Sequence, residues 1–511
     1  MRGDAGRLVP KILMIYTLCL SLLTFMSIAL PTVIYDAELD FVEGFMIYNG
    51  LDIIRGSAYQ GFPYVYPYPP LAYIASAVSA LGASSCPIVG CRILALTLSS
   101  AILFLAWFEA GGGEARLIAP AIIGLSPVFL YWAPLCRADQ LATLLSITSI
   151  ALASRGILGF SALAASLALF SKQTYIAAPL SILAYFLLLG RWREAAKYAA
   201  LLLLFSLALY APFIAFSGDM LNHLLFYNLH RIDPLNPMRI MRGAFRGGFW
   251  IIYLPALIFS LRRIREDPYA IYYVSSFVLA SILALKVGAN TNYFFEACVV
   301  GGVLVAREAS RIGRKLSLSV LCLVLVASIM IASPIHLLDR VGDPSLVTDS
   351  RRIAEAVRGF RLIASEDAYI AVLSGSRLIV EPFIYHQLVA RGVTQDILAK
   401  AAEGFTLDAG IFRWRDPERF TGDFVIALLA RYNCVETRYY VLCVKPWTSV
   451  DLQPAHLDPL LGVQQAILAI SRLILLFENW ICLLSIFTLP PVIAYWWKVY
   501  ETRNNRASSN S

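Results

Sequence analysis

An all-α polytopic membrane domain of about twelve transmembrane helices, joined to a small extracytoplasmic α/β domain, is the fold that the sequence predicts. Three observations lead there. The 511 residues are 59% hydrophobic and only 15% charged, with a mean hydropathy of +0.68, and a soluble chain of this length needs more charge to cover its surface. Apolar runs of roughly 17–25 residues, enough to cross ~30 Å of hydrocarbon as a helix, recur along nearly the whole chain. One stretch, 335–460, breaks the pattern by alternating strand-like and helix-like runs.

In order, the apolar runs fall at 11–34, 91–108, 116–133, 141–154, 157–170, 175–190, 197–215, 248–261, 269–285, 293–306, 316–333 and 481–498. The first is too long for a signal-peptide core, and no small-residue cleavage site precedes the acidic segment after it, so it reads as a retained span. With Arg2, Arg7 and Lys11 in the cytoplasm, the basic connections "RWREAAK" (191–197), "RRIRED" (262–267) and "REASRIGRK" (307–315) lie on the same side. Lys498, Arg503 and Arg506 join them, as the positive-inside rule requires. Both termini are then cytoplasmic, and the segment after the first span is outside. Two leftover stretches read as interfacial helices: 70–83 is too short to cross, and 460–480 carries Gln464, Gln465, Arg472 and Glu478.

The domains that follow are a transmembrane domain at 1–334 with an acidic first outer loop at 35–69, the α/β domain at 335–460, and 461–511. The last comprises an interfacial helix, the final transmembrane helix and a cytoplasmic tail. Within the α/β domain strands are expected at 369–375, 377–382, 423–430 and 439–444, and helices at 350–360 and 394–404.

The formal charge of +8 is explained by orientation and by contact with membrane lipids, not by nucleic acid. Of nine cysteines, Cys86 with Cys91 and Cys434 with Cys443 are the only close pairs. An oxidising exterior allows a disulfide in each; four reduced thiols are the alternative. No Cys/His spacing suits zinc, and five scattered histidines suggest no metal site.

The chemistry-bearing residues begin at "YDAELDFVEGFMIYNG" (35–50), which holds Asp36, Glu38, Asp40 and Glu43, with Asp52 just beyond and no lysine or arginine before Arg55. Phe41, Phe45, Tyr48 and Ile53 have the spacing of a helix lying apolar face down on a membrane. Glu38, Asp40 and Asp52 read as solvated loop charges. "YPYPPLAY" (66–73), with Tyr66 and Tyr68, makes a stiff aromatic rim suited to a sugar cleft. Further outer connections carry Arg137 and Asp139, then Lys172 and Gln173, then Lys286, Asn290, Asn292 and Glu296. The 216–247 loop holds Arg231, Arg239, Arg242 and Arg246. Arginines on that side run against the orientation bias. Anionic headgroups account for them, or a lipid-linked phosphate does. A carboxylate that deprotonates a hydroxyl must sit at a cleft, so the acids and the arginines are expected to face one another across one outer cavity.

Seven segments carry a family resemblance in chain order: "FVEGFMIYNG", "IIRGSAY", "YPYPPLAY", "CRADQLATLLSI", "SKQTYIAAP", "GANTNYFFE" and "ASEDAYIAVLSGSRLIVEPFIYHQL". Together they resemble the polytopic glycosyltransferases of GT-C type. The branch is that of dolichyl-phosphate-mannose protein mannosyltransferases, aminoarabinose transferases of lipid A and rhizobial lipopolysaccharide transferases. Ala138 stands where the family usually has proline. The adjacent Asp-Glu of many relatives is absent, since Asp36 and Glu38 flank Ala37.

The resemblance implies transfer of a sugar from a polyprenyl-phosphate donor to a hydroxyl of a protein, glycolipid or polysaccharide. The reaction lies on the extracytoplasmic face and inverts the anomeric centre. It implies a general base in the first outer loop, Glu43 in preference to Asp36. Cations for the leaving phosphate come from Arg137, Lys172, Arg231, Arg239 and Arg242. Asp139, Tyr66, Tyr68, Asn292 and Glu296 bind or orient substrate. No cofactor is expected, because monosaccharide transferases of this branch generally work without the divalent ion that oligosaccharide-transferring relatives use. A transporter, a lipid-linked-sugar flippase or an inactive scaffold also accounts for many helices and charges. A transporter more often shows repeats and helices broken at the midplane, whereas here the polar groups cluster at helix ends.

Overall fold

The structure, a computed structural model, describes residues 5–112, 115–246, 249–311, 334–413, 419–450, 452 and 460–478. The expected spans 316–333 and 481–498 lie outside the described residues. The chain opens with α1 (Ala5–Ile34), leaves it through a loop at 35–41, and continues into α2 (Val42–Ile54), α3 (Pro70–Gly82) and α4 (Pro87–Glu109). Then come α5 (Ala115–Gly124), α6 (Pro127–Trp132), α7 (Asp139–Ser154), α8 (Leu158–Ser171), α9 (Ala177–Leu188) and α10 (Trp192–Ser217). The helical part continues with α11 (Asn236–Arg246), α12 (Phe249–Arg263), α13 (Pro268–Leu283) and α14 (Phe295–Arg311).

Four helices among the described residues are long and apolar enough to cross a bilayer unaided: Met14–Ile34 within α1, α4, α10 and Leu461–Glu478. The sequence suggested about twelve. Several of the other helices are too short: α7, α8, α9 and α13 have 16, 14, 12 and 16 residues, against the roughly 20 needed. The expected span 116–133 is two helices. Pro127 opens α6, and Ser126 before it is extended at ψ 129°, because the proline ring disfavours helical backbone in the residue ahead.

Helix α3 forms where an interfacial helix was expected but is wedged between α2, α4 and α8. The 460–480 stretch also differs from expectation. Two of its polar residues bond inside the protein: Gln464 Nε2 donates to Val341 O at 3.1 Å, and Glu478 accepts from Thr24 of α1 at 2.8 Å.

Helix α4 has 23 residues, which makes it about 34 Å long, and its two ends define the poles of the molecule. At its C-terminus Glu109 meets Arg155 at 2.7 Å and Arg307 at 3.4 Å and accepts from Tyr269 at 2.8 Å. Arg307 also pairs with Asp267 at 3.1 Å. These ties gather the end of α7, the start of α13 and the body of α14 around the end of α4. At the other pole sits the α/β domain.

That domain runs α15 (Pro344–Ala356), β1 (Leu362–Ser365), α16 (Ala368–Ser374), β2 (Arg377–Leu378), α17 (Pro382–Ala390), α18 (Ile397–Glu403), β3 (Ala409–Arg413), α19 (Gly422–Arg431), β4 (Asn433–Glu436) and β5 (Tyr440–Val444). The sheet order is β2-β1-β3-β5-β4, parallel across its first three strands and antiparallel at β3–β5 and β5–β4. Two expected strands, 369–375 and 423–430, are the helices α16 and α19. Asp367 caps the first through Tyr369 N–H and Thr421 the second through Phe424 N–H. Phe424, Ala427 and Leu428 then bury one helical face.

Candidate active site

The loop between α1 and α2 is fixed by a buried ion pair. Arg92, in the second turn of α4, meets Glu43 with Nε at 2.7 Å from Oε1 and Nη2 at 2.6 Å from Oε2. Both side chains are fully buried. The same guanidinium donates to Thr32 O at 2.9 Å, to Ala37 O at 2.8 Å and to Tyr35 O. Glu43 also accepts from Cys136 N–H at 2.9 Å, Leu39 N–H at 3.0 Å and Asp40 N–H at 3.2 Å. Burial alone pushes the Glu43 carboxyl up. The Arg92 charge and these hydrogen bonds outweigh it and hold the group below its ordinary value. Every acceptor position of Glu43 is thus used internally, and it is absent from the cavity wall. This corrects the expectation that Glu43 faces substrate.

Asp36, the alternative base, is also committed elsewhere. It binds Arg351 Nε at 2.8 Å and accepts from Tyr369 Oη at 2.5 Å. Glu38 accepts from Gly44 N–H at 2.8 Å. Burial and the Asp367 carboxylate push the Glu38 carboxyl well above its ordinary value.

Asp40 is the acid that reaches the cavity. Its Oδ1 accepts from Val42 N–H at 3.1 Å and from Arg137, and it starts a chain of alternating charge. Arg137 Nε lies 3.2 Å from Asp139 Oδ2, and Asp139 Oδ1 lies 2.7 Å from Lys172 Nζ. Arg137 stacks over the Trp132 ring at 4.9 Å. Lys172 faces the rings of Tyr68, Tyr175 and Tyr293 at 5.3–5.8 Å. Asn292 Nδ2 approaches Asp139 at 3.5 Å.

The cavity encloses about 920 Å³ of non-atom space, part of it open to solvent, and its charged lining is Asp40, Arg137, Lys172, Lys286 and Glu381. Tyr68, Gln173, Asn228, His230, Asn292 and Phe383 also line it. Lys286 has no carboxylate within ion-pair distance among the described residues. Burial and the Lys172 charge lower the pKa of its ammonium. A smaller cavity adjoins, with Asp139, Lys172, Tyr293 and Glu296 on its wall. There Glu296 accepts from Tyr272 Oη at 2.7 Å.

The remaining expected residues divide. Tyr68 reaches the cavity, while Tyr66 turns away and donates to Asp52 at 3.0 Å. Arg231, Arg239 and Arg242 are exposed and do not line it; Arg239 pairs with Asp233 at 3.0 Å. The reason is backbone pairing: Val287 N–H donates to Arg231 O at 2.9 Å and Asp233 N–H to Leu285 O at 2.8 Å. This pairing brings Asn228 and His230, not the arginines, to the cavity. The side chain of Arg246 lies outside the described residues.

Cys91 is bridged to Cys136, and Cys434 to Cys443. The expected Cys86–Cys91 pair is therefore corrected, since Cys91 faces the loop before α7 while Cys86 lies 3.4 Å from Arg351 Nη2. Sequence reasoning passed over Asp40, Arg92, Lys286 and Glu381 as site residues. Arg92 carried a signal as a single arginine in an otherwise apolar run, and Asp40 and Lys286 stood among the outer charges already noted.

No protein family and no curated protein matches the sequence. Among solved structures, the chain is similar to ArnT from Cupriavidus metallidurans bound to undecaprenyl phosphate. That match has 14% identity and TM-score 0.59 over 85% of this chain and 98% of that one. The apo state of that protein gives TM-score 0.56 over the same shares. AglB from Archaeoglobus fulgidus, an archaeal oligosaccharyltransferase in complex with an inhibitory peptide and a dolichol-phosphate, gives 11% identity and TM-score 0.52. It covers 84% of this chain and 74% of that one. Likeness at such identities is likeness of fold. Both neighbours are GT-C glycosyltransferases, and the fold here is the GT-C fold that the ordered motifs implied.

Proposed function

We propose that this chain is a glycosyltransferase moving a sugar from a polyprenyl-phosphate donor to a hydroxyl acceptor on the extracytoplasmic face, by a single inverting displacement. The observation that carries this reading is the shared wall of one cavity: a carboxylate, Asp40, beside the cations Arg137, Lys172 and Lys286. The fold neighbours, one bound to undecaprenyl phosphate and one to a dolichol-phosphate, support a lipid-phosphate donor.

On this reading Asp40 is the general base. Its Oδ1 is held by Arg137 and by Val42 N–H, which leaves Oδ2 to take the proton of the acceptor hydroxyl. The acceptor oxygen bonds to the anomeric carbon as the bond from that carbon to the phosphate oxygen breaks, and the lipid leaves as polyprenyl phosphate. Arg137 and Lys172 are already neutralised by Asp40 and Asp139, so Lys286 brings the uncompensated charge to the leaving group. Glu43 and Arg92 are positioning residues, holding Asp40 and Arg137 side by side. Tyr68 and Asn292 remain candidates for substrate contact, and Asp139 orients Arg137 and Lys172.

Two disulfides at the cavity end of the molecule support an oxidising compartment for it. Arg155, Arg263, Arg307 and Arg311 at the other pole suit the cytoplasm. Asp40→Asn should lower transfer by about 10²–10⁴-fold while the protein still inserts and folds. The polyprenyl-phosphate sugar should then accumulate in membranes, as read by mass spectrometry. Wild-type transfer by Asp40→Asn would overturn the assignment.

A further inference from the structure

The charges Asp40, Arg137, Lys172 and Lys286 leave a second set of lining groups without a task. Glu381 opens α17 and is only 3% exposed. Its Oε2 accepts from Ile384 N–H at 2.5 Å, and no lysine or arginine among the described residues pairs with it. Burial pushes its carboxyl up to about 7, with Ile384 N–H and Arg419 opposing. Near neutral pH it can therefore both give and accept a hydrogen bond.

Phe383, two residues on, lies over Gly288, where a Cβ would stand 2.2 Å from its Cζ. It touches the rings of His230 and Phe41 at 5.4 and 5.8 Å. His230 stands 3.0 Å from Asn228 Oδ1; burial and the charges of Lys286 and Arg391 lower it to about 4, which keeps the imidazole neutral. Gln173 donates to Pro67 O at 2.7 Å, and its Oε1 has no donor among the described residues. A flat ring, a carboxyl, a neutral imidazole and an amide are the groups that recognise a carbohydrate ring. A phosphate would find no positive charge among them.

We propose that Glu381, Phe383, His230 and Gln173 form a subsite for a sugar ring, with Glu381 selecting its hydroxyl pattern. The inference rests on the polyprenyl-phosphate reading above, and the α/β domain supplies half of the subsite. The ring belongs to the donor or to a glycan acceptor, and the two are separable by experiment.

The full-length protein in detergent would be offered the polyprenyl-phosphate-sugar fraction of its source membranes, before and after mild acid release of the sugar. Retained lipid is counted by mass spectrometry. Glu381→Gln keeps the α17 cap through its amide oxygen, and His230→Gln is a second, independent variant. For a donor sugar, both variants retain about tenfold less sugar-bearing lipid and as much sugar-free polyprenyl phosphate as wild type; Lys286→Ala loses both forms. For an acceptor sugar, lipid retention is unchanged and the acceptor KM rises about tenfold at constant donor KM. Equal loss of both lipid forms by Glu381→Gln, or no change in retention and KM, overturns the subsite. Wild-type protein that retains neither lipid form overturns the donor reading itself, and the subsite with it.

Discussion

Glu43 and Asp40 are three residues apart, and the difference between them is decided by a third residue. Arg92 occupies both oxygens of Glu43, so Glu43 has nothing left for a substrate, and Asp40 is turned to the cavity beside Arg137. The acidic loop was legible in the sequence, but which of its acids reaches the cavity was not. The deciding partners are a guanidinium inside an apolar run and a backbone N–H at Cys136, neither of which local spacing reveals. Glu43→Gln should leave Arg92 buried without its countercharge and cost about 3–5 kcal/mol, measured as unfolding in detergent. The folded carboxyl lies below its ordinary value, so its contribution is complete above the unfolded value, about 4.3, and is lost as pH falls through the folded value. The stability gap between wild type and Glu43→Gln should accordingly be constant from pH 8 to 5 and shrink below about 4.

Helices set the distances that the site uses. Helix α2 is buried along residues 42–50 because α3 and, from the α/β domain, α16 both pack against it. Gly44 permits that contact: a Cβ there would lie 2.4 Å from Tyr369 N. Gly44→Ala should force the two apart, lowering the unfolding temperature and the transfer rate together. The spacing of Phe41, Phe45, Tyr48 and Ile53 announced a one-sided helix, yet a membrane surface and a protein surface leave the same apolar signature. The Cys91–Cys136 bridge fixes the loop carrying Arg137 to α4, across 45 residues of chain. In the chain-entropy account such a closure contributes about 4 kcal/mol. Cys136→Ser should therefore lower thermal stability and weaken binding of polyprenyl phosphate. Spacing in sequence favoured Cys86 as the partner; the geometry of α4 against the α6–α7 loop, which no local pattern encodes, selects Cys136.

At the scale of the molecule the four acids of the first loop divide between two bodies. Asp36 and Glu38 meet Arg351, Tyr369, Asp367 and Arg413 of the α/β domain, while Asp40 and Glu43 meet Arg137 and Arg92 of the helical part. The ordered motifs made the fold class and much of the cavity legible, including Arg137, Lys172, Tyr68 and Asn292. Lys286 was visible among the outer charges, whereas Glu381 stayed hidden because its place in the cavity depends on how the domain seats on the helices. Asp36→Asn should loosen that seating, seen as faster hydrogen exchange in α16 and lower transfer, although Asp36 is remote from the proposed chemistry.

The 315 residues between Asp36 and Arg351 also order events during synthesis. The ribosome delivers the loop long before the domain that anchors it, so a nascent chain holds its helices while the acidic loop is still unmoored. A protein truncated after residue 340 should enter the membrane and remain inert, for want of its own last-made third.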